Sequence, residues 1–360
     1  MDALVASPSE GAWLRQEVTL AAQARRIAAE LGRRIGLSAG RVAEIELAVT
    51  EVAVNLLHHA DDGALLLRLT GADPAVAVEL LAVDHGPGIA DLTHSRRSGV
   101  STGGTPGLGL GVVERMADVF DVHSLMGQGT VLVARFRDRS AALDVKSLFS
   151  EPLVAGLTRP ISGEQICGDI WAAKPVSHAA HPEHPEHDGQ QLVMLCDGLG
   201  HGVLAARASG QARTTFHRSA AVEPKDLIVE MHQALAGTRG GAAAVARIDW
   251  RRRRIELCGI GNVSAFVVTG TSRSALLSAP GIVGHHLPRV RSHGADLPAG
   301  SSVVLHSDGL TERWSLAKMP ALFDASSTVV AAHLLREAGV RRDDASVVVI
   351  KDPAIAGSTS

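Results

Sequence analysis

Two groups of residues have the types and spacing that chemistry needs, and they lie in different halves of the chain. In the first half, Glu51 and Asn55 sit one helical turn apart, which aims a carboxylate and a carboxamide at one point. The Asn55 oxygen suits a hydrated Mg²⁺ on a nucleotide triphosphate, and Glu51 can orient or deprotonate an attacking hydroxyl. Asp84-His85-Gly86-Pro87-Gly88 then closes an apolar run, where an aspartate can accept from an adenine amino group and glycine lets the base approach closely. Thr102-Gly103-Gly104-Thr105-Pro106-Gly107-Leu108-Gly109-Leu110-Gly111 follows and opens a helix, so its backbone N–H groups suit phosphate oxygens.

In the second half, acidic residues cluster at strand ends and around glycines. Asp169 follows Cys167-Gly168, Asp197-Gly198 ends the run 192–196, Asp308-Gly309 ends the run 303–307, and Asp343-Asp344 precedes the strand 346–350. Carboxylates so placed converge on one edge of a sheet and repel one another unless a cation intervenes. Hard divalent cations take such oxygen ligands, and two of them roughly 3.5–4 Å apart can activate a shared water for in-line attack on phosphorus. A cysteine-based phosphatase finds no support, because Cys196 lacks the following arginine that would clamp phosphate. His201 is a possible proton donor beside this cluster, although a histidine at a helix start is more often structural.

The elements that must carry these groups follow from periodicity. Apolar residues at Leu20, Ala24, Ile27 and Leu31, and then at Val42, Ile45, Val49, Val52 and Leu56, mark two helices, the second capped by Ser38. Runs at 65–69 and 76–83 around a Gly-Pro turn read as a hairpin, and a short helix through Met116 leads to strands at 120–125 and 130–136. Further on, runs at 191–196, 242–248, 255–258, 265–268, 302–306 and 346–350 read as strands, and 203–218, 224–236 and 328–338 as helices. The His178, His181, His184, His187 series is expected in a solvated loop, and Arg251 to Arg254 in a charged hairpin turn.

Composition narrows the function classes. With 35 Lys+Arg against 38 Asp+Glu and a formal charge of −3, no basic field is present to grip nucleic acid. No stretch reaches the roughly 20 apolar residues of a membrane helix, and no basic-then-apolar leader opens the sequence, so a cytoplasmic protein is expected. The three cysteines are widely spaced without a C-x-x-C pair, which argues against a disulfide framework or a thiolate zinc site.

In order and context, Glu51-x-x-x-Asn55, Asp84-x-Gly86-x-Gly88 and the 103–111 loop resemble the N, G1 and G2 boxes of the GHKL ATPase fold, and within it the RsbT/RsbW-type serine protein kinases. The resemblance implies Asn55 on Mg²⁺, Asp84 on adenine, Glu51 as catalytic base, and Gly86, Gly88, Thr102, Gly103, Gly104, Gly107, Leu108 and Gly109 around ATP. The Thr105-Pro106 insertion departs from the usual, more continuously glycine loop. The second set, Gly168-Asp169, Asp197-Gly198-Leu199-Gly200-His201-Gly202, Ser307-Asp308-Gly309-Leu310-Thr311-Glu312 and Arg342-Asp343-Asp344-Ala345-Ser346, resembles the SpoIIE/RsbX branch of the PPM metal-dependent serine/threonine phosphatases. That resemblance implies two Mn²⁺ or Mg²⁺ ions, with Asp197 bridging, the Gly198 carbonyl assisting, Asp308 and Asp343 completing one ion, Asp169 acting mainly through waters, and Asp344 beside them without ligating. Catalysis would then rest on Glu51 in one half and on Asp197 and Asp308 in the other.

The expected architecture is a two-domain α+β protein: a GHKL (Bergerat) α/β sandwich over 10–138, a linker over 139–156, and a PPM-type α-β-β-α sandwich over 157–351. Both resemblances imply STAS-domain regulators of sigma-factor partner switching or stressosome signalling as phospho-substrates. Either both domains are enzymes, or the first merely senses ATP or binds a regulatory partner; an anti-sigma factor acting by sequestration alone is a third reading.

Overall fold

A computed structural model describes residues 11–71, 76–92, 109–139, 153–176, 190–340 and 342–353. The chain divides into two compact units, Met1–Glu151 and Pro152–Ser360. Among the described residues no helix is long and apolar enough to cross a membrane.

The first unit layers helices on one antiparallel sheet. Its strands β1 (Gly11–Arg15), β2 (Ala64–Thr70), β3 (Ala77–Val83), β4 (Val119–Leu125) and β5 (Gly129–Phe136) lie in the order β1-β2-β3-β5-β4. Helices α1 (Leu20–Arg34), α2 (Ala39–His59) and α3 (Gly109–Met116) complete it. The helical stripes read from the sequence are the ones that bury: Leu20, Ala24 and Ala28 of α1 and Ile45, Val49, Val52 and Leu56 of α2 pack on Leu65, Leu67, Leu80, Leu132 and Phe136 of the sheet. Ser38 caps α2 as expected, its hydroxyl accepting from the Arg41 amide at 3.2 Å. Within the first turn after this cap, the buried Arg41 guanidinium donates to the carbonyls of Met116 (2.7 Å) and Arg137 (3.1 Å) and pairs with Asp118, which pins α2 to the ends of α3 and β5.

On the sheet, Arg68, Glu79 and Arg135 are register partners across β2, β3 and β5 and are almost fully buried. Glu79 accepts from Arg68 and Arg135, both at 2.7 Å. Burial alone would push its carboxyl up, but the two guanidiniums outweigh that and hold it down at about 2. The edge strand β1 was not legible in the sequence, since Gly11–Arg15 has no alternating pattern and acquires its structure by pairing along β2.

The second unit is an α-β-β-α sandwich. Its strands are β6 (Val154–Arg159), β7 (Asp169–Pro175), β8 (Gln190–Gly198), β9 (Gly241–Asp249), β10 (Arg254–Ile260), β11 (Ser264–Thr269), β12 (Ser272–Leu276), β13 (His293–Asp296), β14 (Ser302–His306) and β15 (Ala345–Lys351). One sheet runs β13-β10-β9-β8-β7 and the other β12-β11-β14-β15-β6, with every named pairing antiparallel. Between them lies a core of Val193, Leu195, Ala244 and Ile255 from one sheet and Val267, Leu305, Val348 and Ile350 from the other. Helices α4 (Val203–Arg218) and α5 (Pro224–Ala234) cover the outer face of the first sheet through Ala212, Phe216, Leu227 and Met231. Helix α6 (Ser327–Ala338), buried along almost its whole length, packs on β15 and β6.

Strand β6 begins at Val154, inside the segment expected as linker, and pairs with β15. Gly156 in it makes room for the Trp171 indole: a Cβ there would lie 2.6 Å from Trp171 Nε1. The Arg251 to Arg254 run is the β9–β10 hairpin turn, with Arg253 in the left-handed region at φ 53°.

Candidate active sites

The acidic site of the second unit is built at one end of the two sheets. Strand register places Asp169 of β7 directly opposite Asp197 of β8, and β8 runs on into Gly198, the partner of Gly241. Asp169 is 3% exposed, and neither of its carboxylate oxygens has a hydrogen-bond partner. Burial pushes its carboxyl up to about 7, a rise that the nearby Ser307 and Ser346 hydroxyls temper without satisfying either oxygen. Asp197 is pushed up to about 10, first by burial and then by the charges of Asp169, Asp308 and Asp343. Asp343 is also raised, by burial and by Asp308. The four predicted acids therefore share one electrostatic site.

Buried orphaned carboxylate oxygens and mutually opposed acids are the donor chemistry that hard divalent cations satisfy, so these residues fit Mg²⁺ or Mn²⁺. They form a loose cluster and not a closed cage: among the described residues no three His, Cys, Asp or Glu side chains are close enough to hold a metal as they stand.

The backbone around the acids leaves no slack. A Cβ on Gly198 would overlap the Ala205 carbonyl, and one on Gly309 would overlap the Asp344 carbonyl, which explains glycine after both Asp197 and Asp308. Asp344, expected only as a bystander, has a structural task. Its carboxylate accepts from the amides of Ile161 and Gly168, both at 2.7 Å, and so clamps the loop that delivers Asp169. Asn262, in the Gly259-Ile260-Gly261-Asn262 turn, donates from its amide to Asp308. The run of consecutive acids was visible in the sequence, but which of the two turns inward depends on the fold. His201 lies at the exposed rim, with Nδ1 3.3 Å from Glu164 Oε1.

In the first unit, α2 carries Glu51 and Asn55, both half-buried. Gly109, the first residue of α3, lies against Asn55: a Cβ there would sit 2.7 Å from Asn55 Nδ2. Asp84 follows β3, its Oδ1 accepting from the Gly86 amide at 2.8 Å. Gly86 lies under the His59 carbonyl, 2.7 Å from where a Cβ would be, and Gly88, at φ 74°, has its Cβ position filled by the Leu125 carbonyl. The structure thus brings Asn55 to Gly109 and fixes the Asp84–Gly88 turn. An amide and a carboxylate, Asn55 and Asp84, stand beside turns that close packing restricts to glycine, and their oxygen and carboxylate chemistry fits Mg²⁺-bound ATP. Thr102, Gly103, Gly104, Gly107 and Leu108 lie outside the described residues, as does the 178–187 histidine segment.

Comparison with known protein families divides the chain in the same two halves. Residues 14–136 match the histidine kinase-like ATPase domain, and residues 187–352 match the stage II sporulation protein E (SpoIIE) family. The chain belongs to the histidine kinase-like ATPase family through its first unit, and its second unit is a SpoIIE domain of the PPM phosphatase fold.

Particular relatives divide along the same line. The first unit is similar to the serine/threonine-protein kinase RsbT of Bacillus subtilis (strain 168), 31% identical over 111 residues that span 31% of this chain and 84% of RsbT. The second is similar to the phosphoserine phosphatase RsbX of the same organism, 27% identical over 150 residues, 41% of this chain and 69% of RsbX. A crystal structure of RsbX in complex with magnesium matches 55% of this chain and 94% of its own at 21% identity, with a TM-score of 0.45.

Proposed function

We propose that the chain is a bifunctional phosphorylation switch, a serine kinase and an opposing phosphoserine/phosphothreonine phosphatase in one polypeptide, acting in the cytoplasm on STAS-type regulators of sigma-factor or stressosome signalling. The observation that carries the phosphatase half is Asp169, buried opposite Asp197 with both of its carboxylate oxygens orphaned, which calls for cations. Asp197, with the Gly198 carbonyl, would bridge two Mn²⁺ or Mg²⁺ ions, Asp308 and Asp343 would complete one of them, and Asp169 would act through ordered waters. When bound, such ions polarise a phosphoryl group and make water a nucleophile at neutral pH. The chain's own contribution is to hold the acids in place: Asn262 orients Asp308, and Asp344 holds the loop before Asp169.

In the first unit, Asn55 would hold Mg²⁺, Asp84 would accept from the adenine amino group, Gly86, Gly88 and Gly109 would line the ATP site, and Thr102, Gly103, Gly104, Gly107 and Leu108 would enclose its phosphates. Glu51 would take the proton from the attacking serine hydroxyl. Both relatives, a kinase and a phosphatase by name, support this division.

One observation favours a second reading, in which only the phosphatase turns over and the first unit senses ATP or binds a partner. Among the described residues Glu51 has no hydrogen bond or ion pair to orient it as a base. Phosphotransfer to a STAS protein separates the two: in the bifunctional reading Glu51→Ala abolishes it while phosphate release from the phosphorylated protein persists. Phosphotransfer undiminished in Glu51→Ala removes the assigned base, and its absence from the wild-type chain leaves the sensing reading.

A further inference from the structure

The acidic edge of the second unit also carries a cation that the metal site does not use. Strand β9 starts at Gly241, the register partner of Gly198, so the turn Gly237-Thr238-Arg239-Gly240 that feeds it lies at the same end of the sheet as Asp197. The Leu199 amide donates to the Gly240 carbonyl at 3.0 Å, tying this turn to the glycine-rich loop after Asp197. Across that junction the Arg239 guanidinium rests on bare backbone: a Cβ on Gly200, itself at φ 83°, would lie 2.9 Å from Arg239 Nη1.

Arg239 is exposed, and among the described residues it makes no hydrogen bond or ion pair, although Asp197 and its fellow acids stand at the same loop. An arginine placed there to neutralise the acids would pair with one of them. The turn that carries it is not slack either. Thr238 Oγ donates to the Leu235 carbonyl (2.7 Å) and accepts from the Gly240 amide (3.0 Å), and the His285 ring bonds the Thr238 carbonyl at 3.0 Å. The fold thus holds the base of this arginine firmly and, among the described residues, leaves its fork of donors unpaired beside Gly200, in the loop that follows Asp197. A planar guanidinium matches two phosphoryl oxygens at once, and each such bond is charge-assisted.

We propose that Arg239 binds the phosphoryl group of the substrate at the second unit's acidic site. The assignment rests on the phosphatase reading, and it gives that site an anion-binding arm that its carboxylates cannot supply. Cations held by Asp197 and its neighbours would face one side of the phosphoryl oxygens, and Arg239 would face another from across the Gly198–Gly200 loop.

The test uses the full chain with Mg²⁺, comparing wild type, Arg239→Ala and Arg239→Lys in two measurements. One is hydrolysis of p-nitrophenyl phosphate, with inorganic phosphate as product inhibitor. The other is calorimetric titration with inorganic phosphate in the absence of any ester. Arg239→Ala is expected to raise KM and weaken phosphate inhibition and binding by at least about tenfold, the loss of a charge-assisted pair. The Mg²⁺ concentration for half-activation should stay unchanged, and lysine, a point charge without the fork, should restore binding only in part. Equal phosphate binding by wild type and Arg239→Ala overturns the proposal, as does a loss that tracks weakened Mg²⁺ activation. A wild-type chain that binds phosphate through Arg239 yet hydrolyses nothing upholds the anion site and removes the phosphatase reading instead.

Discussion

Asp169 and Asp197 face each other as register partners on β7 and β8, with both Asp169 oxygens buried and unpartnered, so two acids distant in sequence become one charged site through strand pairing alone. The pairing also fixes the direction of a pH effect. Both carboxyls bind their protons more tightly in the folded protein than the usual carboxylate value of 3.8, Asp169 up to about 7 and Asp197 up to about 10. Their contribution to stability is therefore fully present below about pH 4 and is lost as pH rises, first through 7 and then toward 10.

Without divalent cation, the second unit is accordingly expected to lose stability between pH 5 and pH 9, and Asp197→Asn to recover on the order of 1–3 kcal/mol at the upper end, the cost of an unsatisfied buried group. Added Mg²⁺ should flatten the wild-type profile and leave that of the variant unmoved. Thermal unfolding across pH with and without Mg²⁺ measures this, and a wild-type profile that rises with pH would contradict it.

Asp344 is expected to matter almost as much as the acids that face the site. Its two amide bonds, to Ile161 and Gly168, set the loop that ends in Asp169. Asparagine keeps one acceptor and turns an NH₂ toward the second donor, so Asp344→Asn should lower Mg²⁺ affinity by roughly 10–100-fold, as loss of an outer-shell partner does. Metal titration followed by calorimetry reads this directly; unchanged affinity would mean the clamp has no bearing on the site.

Gly109→Ala offers a test of the nucleotide site in which stability and binding move apart. Alanine favours a helix by up to about 1 kcal/mol over glycine, so α3 should hold or gain stability. Yet the new Cβ would sit 2.7 Å from Asn55 Nδ2 and displace that side chain. ATP binding should fall by about tenfold or more, the cost of misplacing a charge-assisted partner, with phosphate release by the second unit unaffected. Fluorescent-nucleotide titration checks it, and wild-type affinity would remove Asn55 from the site.

Glu79 carries the stability of the first sheet. Its carboxyl lies well below the ordinary 4.5, at about 2, so the stability it supplies is present above about pH 4.5 and lost as pH falls toward 2. Glu79→Gln strands two buried guanidiniums and should cost roughly 3–5 kcal/mol at neutral pH. Chemical denaturation of the two variants, Glu79→Gln and Glu79→Leu, should show both strongly destabilised; a loss under 1 kcal/mol would mean that water reaches the arginines.

What could be read in the sequence was what local pattern dictates. The stripes of α1 and α2, the Ser38 cap, the Asp84 turn and the boundaries of α4 follow from periodicity and glycine placement, and the structure has them within a residue or two. Edge strands other than β4 were not readable: β1, β6, β12 and β13 owe their form to a neighbour's hydrogen bonds, and β7 holds a short apolar run next to loop residues. Asp197 and Asp308 stand out in the sequence by the glycine that follows each, and Asp169 by the one before it. The roles of Asp344 and Arg239 do not, because each depends on a contact across the fold, to the 161–168 loop in one case and to Gly200 in the other.

The central claim is that the Asp197 edge hydrolyses phosphate from a phosphorylated protein. The most direct measurement is Mn²⁺-dependent phosphate release from a phosphorylated STAS protein by the full chain, with and without ATP, in wild type and Asp197→Asn. Release by the wild type that disappears in Asp197→Asn and on chelation is the predicted result. Release that is equal in both proteins, or none from the wild type with either Mn²⁺ or Mg²⁺, would contradict it.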